Sequence, residues 1–181
     1  TKHKGLFRIT NNTSKQFTTN KDNPPHLPSN RIQHIIRSSD DKLWIGTEAG
    51  LVQFDETANR FIPYCNEPVT WLCEDQNQKI WMGSTTGIYL VNKTTHSIQR
   101  HSPPFTQSIF LNPNIEIAQI FCDKDNNLWF STRFNGLYKY SQKTGLVSTF
   151  THSSDSLNNI SDNMVRAIHQ DKTGQLWVGT K

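Results

Sequence analysis

One phrase recurs four times in this chain and limits what it can fold into. It reads Leu43-Trp44-Ile45-Gly46-Thr47, Ile80-Trp81-Met82-Gly83-Ser84, Leu128-Trp129-Phe130-Ser131-Thr132 and Leu176-Trp177-Val178-Gly179-Thr180. After the first three copies a second apolar run opens on glycine: Gly50-Leu51-Val52-Gln53-Phe54, Gly87-Ile88-Tyr89-Leu90-Val91 and Gly136-Leu137-Tyr138-Lys139-Tyr140. A further copy of that second run, Gly5-Leu6-Phe7-Arg8-Ile9, lies near the start without a tryptophan phrase ahead of it, and the last tryptophan phrase has no glycine run behind it. The tryptophans are spaced 37, 48 and 48 residues apart. Self-similarity at this period, with several short strands per unit, indicates the blades of a β-propeller.

Each unit reads as four strands. Positions twelve and nine before each tryptophan are apolar in all four units (Ile32 and Ile35, Val69 and Leu72, Ile117 and Ile120, Val165 and Ile168), which marks a first strand. A turn follows, with Asp75, Asp123 and Asp171 at one aligned position and Ser38 in the remaining unit. Side chains of this kind bond the backbone two residues on, and Asn126-Asn127 and Thr173-Gly174 suit the tight bend. The tryptophan phrase is the second strand. Its indole supplies area for packing one sheet on the next, and its Gly or Ser permits close approach. The glycine run is the third strand and a weaker outer strand around Phe61, Ile98 and Val147 the fourth. No segment carries a useful helical period. The fold class expected is all-β: four-stranded antiparallel blades forming a partial propeller of about four blades, one of them split between the termini. The boundaries expected are 5–30 for the second half of a blade, 31–68, 69–114 and 115–163 for whole blades, and 164–181 for a first half. An open slice of a larger ring is the preferred reading, and closure at four blades is the alternative.

Composition narrows the function classes. The 181 residues suffice for one real core. A net charge of +4 without a long basic run describes a mixed solvated surface, so no contact with nucleic acid is expected. No apolar stretch approaches 18 residues, and the first residues lack the apolar core of a signal peptide. A start in mid-repeat without methionine suggests a piece of something larger. Cys65, Cys73 and Cys122 have no ligand spacing and read as structural thiols, with one disulfide as the alternative. The seven histidines are scattered, so neither a metal site nor a cofactor is expected.

The repeat resembles the two-component regulator propeller repeat, whose pattern is an apolar strand, Asp, a short turn, Leu-Trp-Ile-Gly-Thr, then Gly-Leu and an aromatic strand. Asp171-Lys172-Thr173-Gly174-Gln175-Leu176-Trp177-Val178-Gly179-Thr180 matches throughout, and the connector Asp155-Ser156-Leu157-Asn158-Asn159 resembles the linker between such blades. Ser131 in place of Gly and the shifted acidic turn around Ser38-Ser39-Asp40-Asp41 are departures. The resemblance implies a non-catalytic sensor segment in the periplasmic half of a Bacteroidetes hybrid histidine kinase. Its implied input is an oligosaccharide, its neighbours are the rest of the sensor ectodomain, and its output, through a transmembrane segment and kinase, is transcription. A propeller lyase or hydrolase and a purely structural dimerisation propeller are the rival readings.

What recurs in every unit reads as scaffold: Trp44, Trp81, Trp129 and Trp177, with Gly50, Gly87 and Gly136. The aligned aspartates could be mistaken for the carboxylates of a glycosidase, but their recurrence at one turn position assigns them to the turn. Function is then expected where the units differ, on the loops after the second strand and the connectors beside them. Glu48-Ala49, Thr85-Thr86 and Arg133-Phe134-Asn135 occupy those loops, the last being one residue longer. Arg133, Phe134 and Asn135 combine an aromatic face with polar donors, a sugar-like contact, and Glu48 and Glu67 are the nearest candidate carboxylates. The apolar connector 101–114 is expected to pack over the propeller or a partner. Exposed apolar blade faces at the two ends predict association, with a homodimer as the expected state.

Overall fold

A computed structural model describes residues 3–20, 26–101, 115–153 and 159–181. The connector at 102–114 and most of the Asp155–Asn159 linker lie outside the described residues. Among the described residues, sixteen strands form five antiparallel sheets. Three are whole blades: β3 (Ile32–Arg37), β4 (Leu43–Thr47), β5 (Gly50–Asp55) and β6 (Arg60–Cys65); β7 (Val69–Glu74), β8 (Ile80–Ser84), β9 (Gly87–Asn92) and β10 (Ser97–Arg100); β11 (Ile117–Cys122), β12 (Asn127–Thr132), β13 (Leu137–Ser141) and β14 (Val147–Phe150). Two are half-blades: β1 (Leu6–Thr10) with β2 (Thr13–Phe17), and β15 (Val165–Gln170) with β16 (Leu176–Thr180). The half-blades are separate sheets, so the slice is open and does not close at four blades.

Burial of the repeated tryptophan shows how blades stack. Trp44 packs on Val69, Leu72, Ile80 and Met82 of the following blade, and Trp81 on Ile117, Ile120, Leu128 and Phe130 of the one after. Trp129 packs on Val165 and Ile168 of the last half-blade. Trp44 is 0% and Trp81 2% exposed, Trp129 is half-buried, and Trp177, with no blade after it, is 60% exposed. The complementary position behaves in the same way. Ile35 is 42% exposed, whereas its counterparts Leu72, Ile120 and Ile168 are buried at 1%, 2% and 6%. Packing density, not propensity, makes this stack the core. The glycine of the tryptophan strand serves the same contact: a Cβ on Gly46 would stand 2.4 Å from Val69 Cγ1 of the next blade.

The aligned aspartate has a second role that the sequence did not reveal. One carboxylate oxygen of Asp75 accepts the N–H groups of Asn77 and Lys79, and the other accepts the indole N–H of Trp81 at 2.8 Å. Asp123 serves Asp125, Asn127 and Trp129 in the same way, and Asp171 serves Thr173, Gln175 and Trp177. Ser38 takes over in the first whole blade, its hydroxyl accepting from Trp44 at 3.0 Å. The carboxylate therefore fixes the turn and the indole together, so each tryptophan is held in place before the next blade arrives. Burial alone would raise the Asp123 carboxyl, but the bonds from Asn127 and Trp129 outweigh it and hold it below the usual carboxylate range.

Each of these turns places its fourth residue at positive φ: Asp41 at 61°, Gln78 at 62°, Asn126 at 61° and Gly174 at 91°. This is a type I turn closed by a left-handed residue. Gln78 is the worst suited of the four, and its side chain is exposed. Gln78→Gly is expected to raise stability by roughly 0.5–1 kcal/mol, the dihedral relief less the added freedom of the unfolded chain. In thermal unfolding that corresponds to a rise of about 2 °C, and an unchanged or lower midpoint would contradict it.

Successive turns are also stitched to each other. Glu74 accepts the Ser39 N–H, Asn126 the Gln76 N–H, and Gln170 the Lys124 N–H, each from the preceding blade. On the axis side, the His34 ring stacks on Trp71 at 4.0 Å and its Nδ1 accepts the Leu72 N–H, again across two blades. Burial pushes the His34 pKa down, which keeps that nitrogen an acceptor. The three thiols are free. Burial pushes Cys73 up to about 12 and Cys122 up to about 11, as expected of inert packing groups.

Candidate functional site

The loops after the second strand share one face with the connectors. Backbone bonds tie them together: Glu48 N–H to the Arg31 carbonyl, Arg133 N–H to that of Glu116, and Lys181 N–H to that of Met164. Each bond joins the end of a second strand to the residue just before an innermost strand. The innermost strands β3, β7, β11 and β15 contact one another in turn. These loop residues therefore rim the axial opening.

The nominated residues are not brought together as one pocket. Arg31 pairs with Glu48 at 2.8 Å, and Gln33 donates to the same carboxylate at 3.1 Å. Two blades on, Arg133 pairs with Glu116 at 3.2 Å. These are the same two backbone positions with the charges exchanged. Each pair lies within its own blade and is largely exposed, so each contributes at most about 1 kcal/mol to stability. Between them, Glu67 accepts from the Thr86 hydroxyl at 3.4 Å, and Thr86 meets Tyr89 Oη at 2.8 Å. The candidate carboxylates are thus engaged separately, Glu48 by Arg31 and Gln33 and Glu67 by Thr86, and the geometry shows no acid–base pair between them.

Phe134 and Asn135 are placed differently. Asn135 gives its N–H to Thr132 Oγ1 and its carbonyl accepts the Tyr138 hydroxyl at 2.7 Å, so its backbone shapes the loop. Phe134 is 63% exposed, and the Arg133 guanidinium carbon lies 5.4 Å from its ring centroid. An exposed aromatic ring with a guanidinium beside it, itself paired with Glu116, offers an apolar face next to charged groups. Glu116 is the member that sequence reading missed. It adjoins Arg133 only because the first strand begins where the second ends. Among the described residues no group of three His, Cys, Asp or Glu side chains is placed to hold a metal.

The model of the two-component regulator propeller matches at residues 26–49, 63–86, 111–134 and 159–181, just over half the chain and once for each tryptophan phrase. The chain belongs to this family. Histidine kinase P4 of Formosa agariphila is 27% identical over 167 residues, which is 86% of this chain and 12% of that protein. The extracellular domain of a hybrid two-component system from B. thetaiotaomicron superposes with a TM-score of 0.80 at 26% identity, covering 98% of this chain and 24% of that one. A streptogramin B lyase superposes at 0.66 with 16% identity over 93% of this chain and 52% of its own, a likeness of fold alone. This regulator propeller segment therefore spans only a small part of its sensor relatives. Each matched segment runs from the end of a connector through the first strand, the turn and the tryptophan strand into the loop behind it. The third segment ends at Phe134, and the match says nothing of what the loops contact.

Proposed function

We propose that this chain is a ligand-recognising propeller segment of an extracytoplasmic sensor, periplasmic in location, belonging to a hybrid two-component regulator. It is not itself catalytic. Occupancy of the loop face biases a two-state switch that a membrane-linked histidine kinase reads out as transcription. The relatives support the sensor role: one is the extracellular domain of a hybrid two-component system and another a histidine kinase. The ligand class proposed is an oligosaccharide. The observation that carries this reading is Phe134, an exposed ring with the Arg133 guanidinium beside it and Glu116 behind, on the variable face of an otherwise repetitive scaffold. Sugar rings stack their C–H faces on such an aromatic, while edge hydroxyls bond to charged and amide groups.

The test is a thermal-shift screen of the chain against a panel of plant, algal and host oligosaccharides, followed by calorimetry on any hit. Phe134→Ala is expected to weaken binding about tenfold or more while leaving the unliganded melting temperature within about 1 °C, because the exposed ring packs on little else. A ligand that binds Phe134→Ala and Arg133→Ala as tightly as the parent would remove this loop from the site. Release of reducing sugar from any member of the panel would replace the sensor reading with an enzymatic one.

A further inference from the structure

Two histidines bridge successive blades, and we infer that His34 and His101 make the stacking of the three whole blades acid-sensitive, so that this segment registers protons in their own right. The inference rests on the blade junctions and holds whatever the loop face binds. His34 joins the first whole blade to the second. Its Nδ1 accepts the Leu72 N–H at 3.3 Å, and its ring centroid lies 4.0 Å from that of Trp71. A protonated imidazole carries N–H groups on both nitrogens. The acceptor for Leu72 would then become a donor, and two N–H groups would face each other across the junction. Against the ring pack β4, its ladder partner, and β7. β4 carries no titratable side chain, and β7 carries Cys73 and Glu74. Glu74 is already engaged by the Ser39 N–H and hydroxyl, so neither strand holds a free carboxylate to balance the charge.

His101 joins the second whole blade to the third. It follows the outer strand β10, and its backbone N–H donates to the Ile88 carbonyl. At the same place the third blade sets Phe150 against Trp129, with ring centroids 5.4 Å apart. His101 lies 4.8 Å from Trp81 of its own blade and 5.2 Å from Tyr140 of the next. Its Nε2 is buried and finds no hydrogen-bond partner among the described residues. A void of about 10 Å³ beside the ring is lined by Ile88, Ile115, Ile117 and Arg100, which brings donors and no acceptor. The carboxylates on the elements around it are spent elsewhere: Asp75 on the Trp81 indole and Glu116 on Arg133. The cations there are Arg100, Lys79 and Lys139, the last lying over Trp129. Protonation of His101 would thus put a charge without an acceptor into an aromatic slot between two blades.

Burial lowers the pKa of both histidines, and the nearby Lys79 adds to the effect at His101. The unfolded chain therefore takes up protons near the ordinary value of about 6.5, before the folded chain does. Stabilisation from these two groups is complete above about pH 6.5 and is lost as pH falls through the lower folded values. The unfolding constant rises by up to about tenfold per pH unit for each histidine in that window. Asp40, Asp123 and Asp171 are held below the usual carboxylate range. Their contribution is present down to about pH 4 and fails only in stronger acid, so it does not overlap the histidine window.

Urea unfolding at about pH 7.5 and pH 5 tests this, and the unfolding constant of the parent is expected to rise about fivefold or more between the two. His34→Gln and His101→Phe are each expected to remove part of that rise. The double variant is expected to hold it within about twofold, whatever stability the substitutions cost at the higher pH. Gln119 and Phe150 occupy the matching positions of the third blade, so both replacements suit their sites. NMR titration of the parent is a second arm that needs no variant to fold. Both imidazoles are expected to titrate below the ordinary value of about 6.5, and the Leu72 amide resonance to move with His34. A parent whose unfolding constant stays within about twofold, or a double variant that keeps the parent's rise, overturns the inference. So do imidazoles that titrate at or above the ordinary value, or a Leu72 amide that ignores the His34 titration.

Discussion

Trp81→Ala is expected to lower the unfolding free energy by about 3–5 kcal/mol, while Trp177→Ala is expected to lower it by less than about 1 kcal/mol. The two residues occupy the same place in the same phrase, so intrinsic strand preference cannot separate them. What differs is the blade that follows. Trp81 is 2% exposed against Ile117, Ile120, Leu128 and Phe130. Removing it opens a cavity between two sheets whose strands cannot close independently, because each is held by its own ladder. It also leaves one oxygen of Asp75, itself 4% exposed, without its indole donor, and an orphaned buried acceptor costs about 1–3 kcal/mol. Trp177 has the aspartate but no blade to lie on, so its loss forfeits little burial. Urea titration of both variants beside the parent checks this. Equal destabilisation would mean that the indole–aspartate bond, not inter-blade packing, is the main contribution of the phrase.

That contrast shows how much of the fold the sequence makes legible. The period, the apolar positions twelve and nine before each tryptophan and the glycine runs are local patterns, and the structure realises them as β3, β7, β11 and β15, as the tryptophan strands and as the third strands. The packing role of Trp44, Trp81 and Trp129 was legible because recurrence in every unit is what a stacking interface requires. The link from aspartate to indole was visible in principle, as a constant separation of six residues, but turn chemistry alone already explained the aspartate. The candidate site was less legible. Arg133 and Glu48 read as polar ligand contacts, and each is also paired within its blade, to Glu116 and Arg31. Those partners lie 17 residues away in sequence and meet only through the start of one strand abutting the end of another. Phe134 is 63% exposed, with the Arg133 guanidinium beside its ring. A residue's chemical type is written in the sequence, but its competing partner is set by register, which emerges only with the sheet.

Gly50→Ala is expected to cost about 3 kcal/mol or more, against about 1–2 kcal/mol for Gly87→Ala, although the two glycines open equivalent strands at almost the same backbone angle. Their φ values are 139° and 138°, outside what a residue with a side chain adopts without strain. The shared dihedral cost sets the lower figure. Surroundings add the rest. A Cβ on Gly50 would stand 2.2 Å from the Cys65 carbonyl oxygen and 3.2 Å from its carbon, atoms of the outer strand's backbone that cannot move without breaking the β5–β6 pairing. On Gly87 the nearest atoms are the guanidinium of Arg100 at 3.4 Å, the far end of a flexible side chain that can swing away. Denaturant midpoints of the two variants separate strain from clash directly. If both lose the same stability, the glycine opening the third strand is selected for its angle alone. If Gly50→Ala loses much more, it is also selected for the closeness of the fourth strand, which at Gly136, 2.4 Å from the Phe150 carbonyl oxygen, predicts the heavier penalty as well.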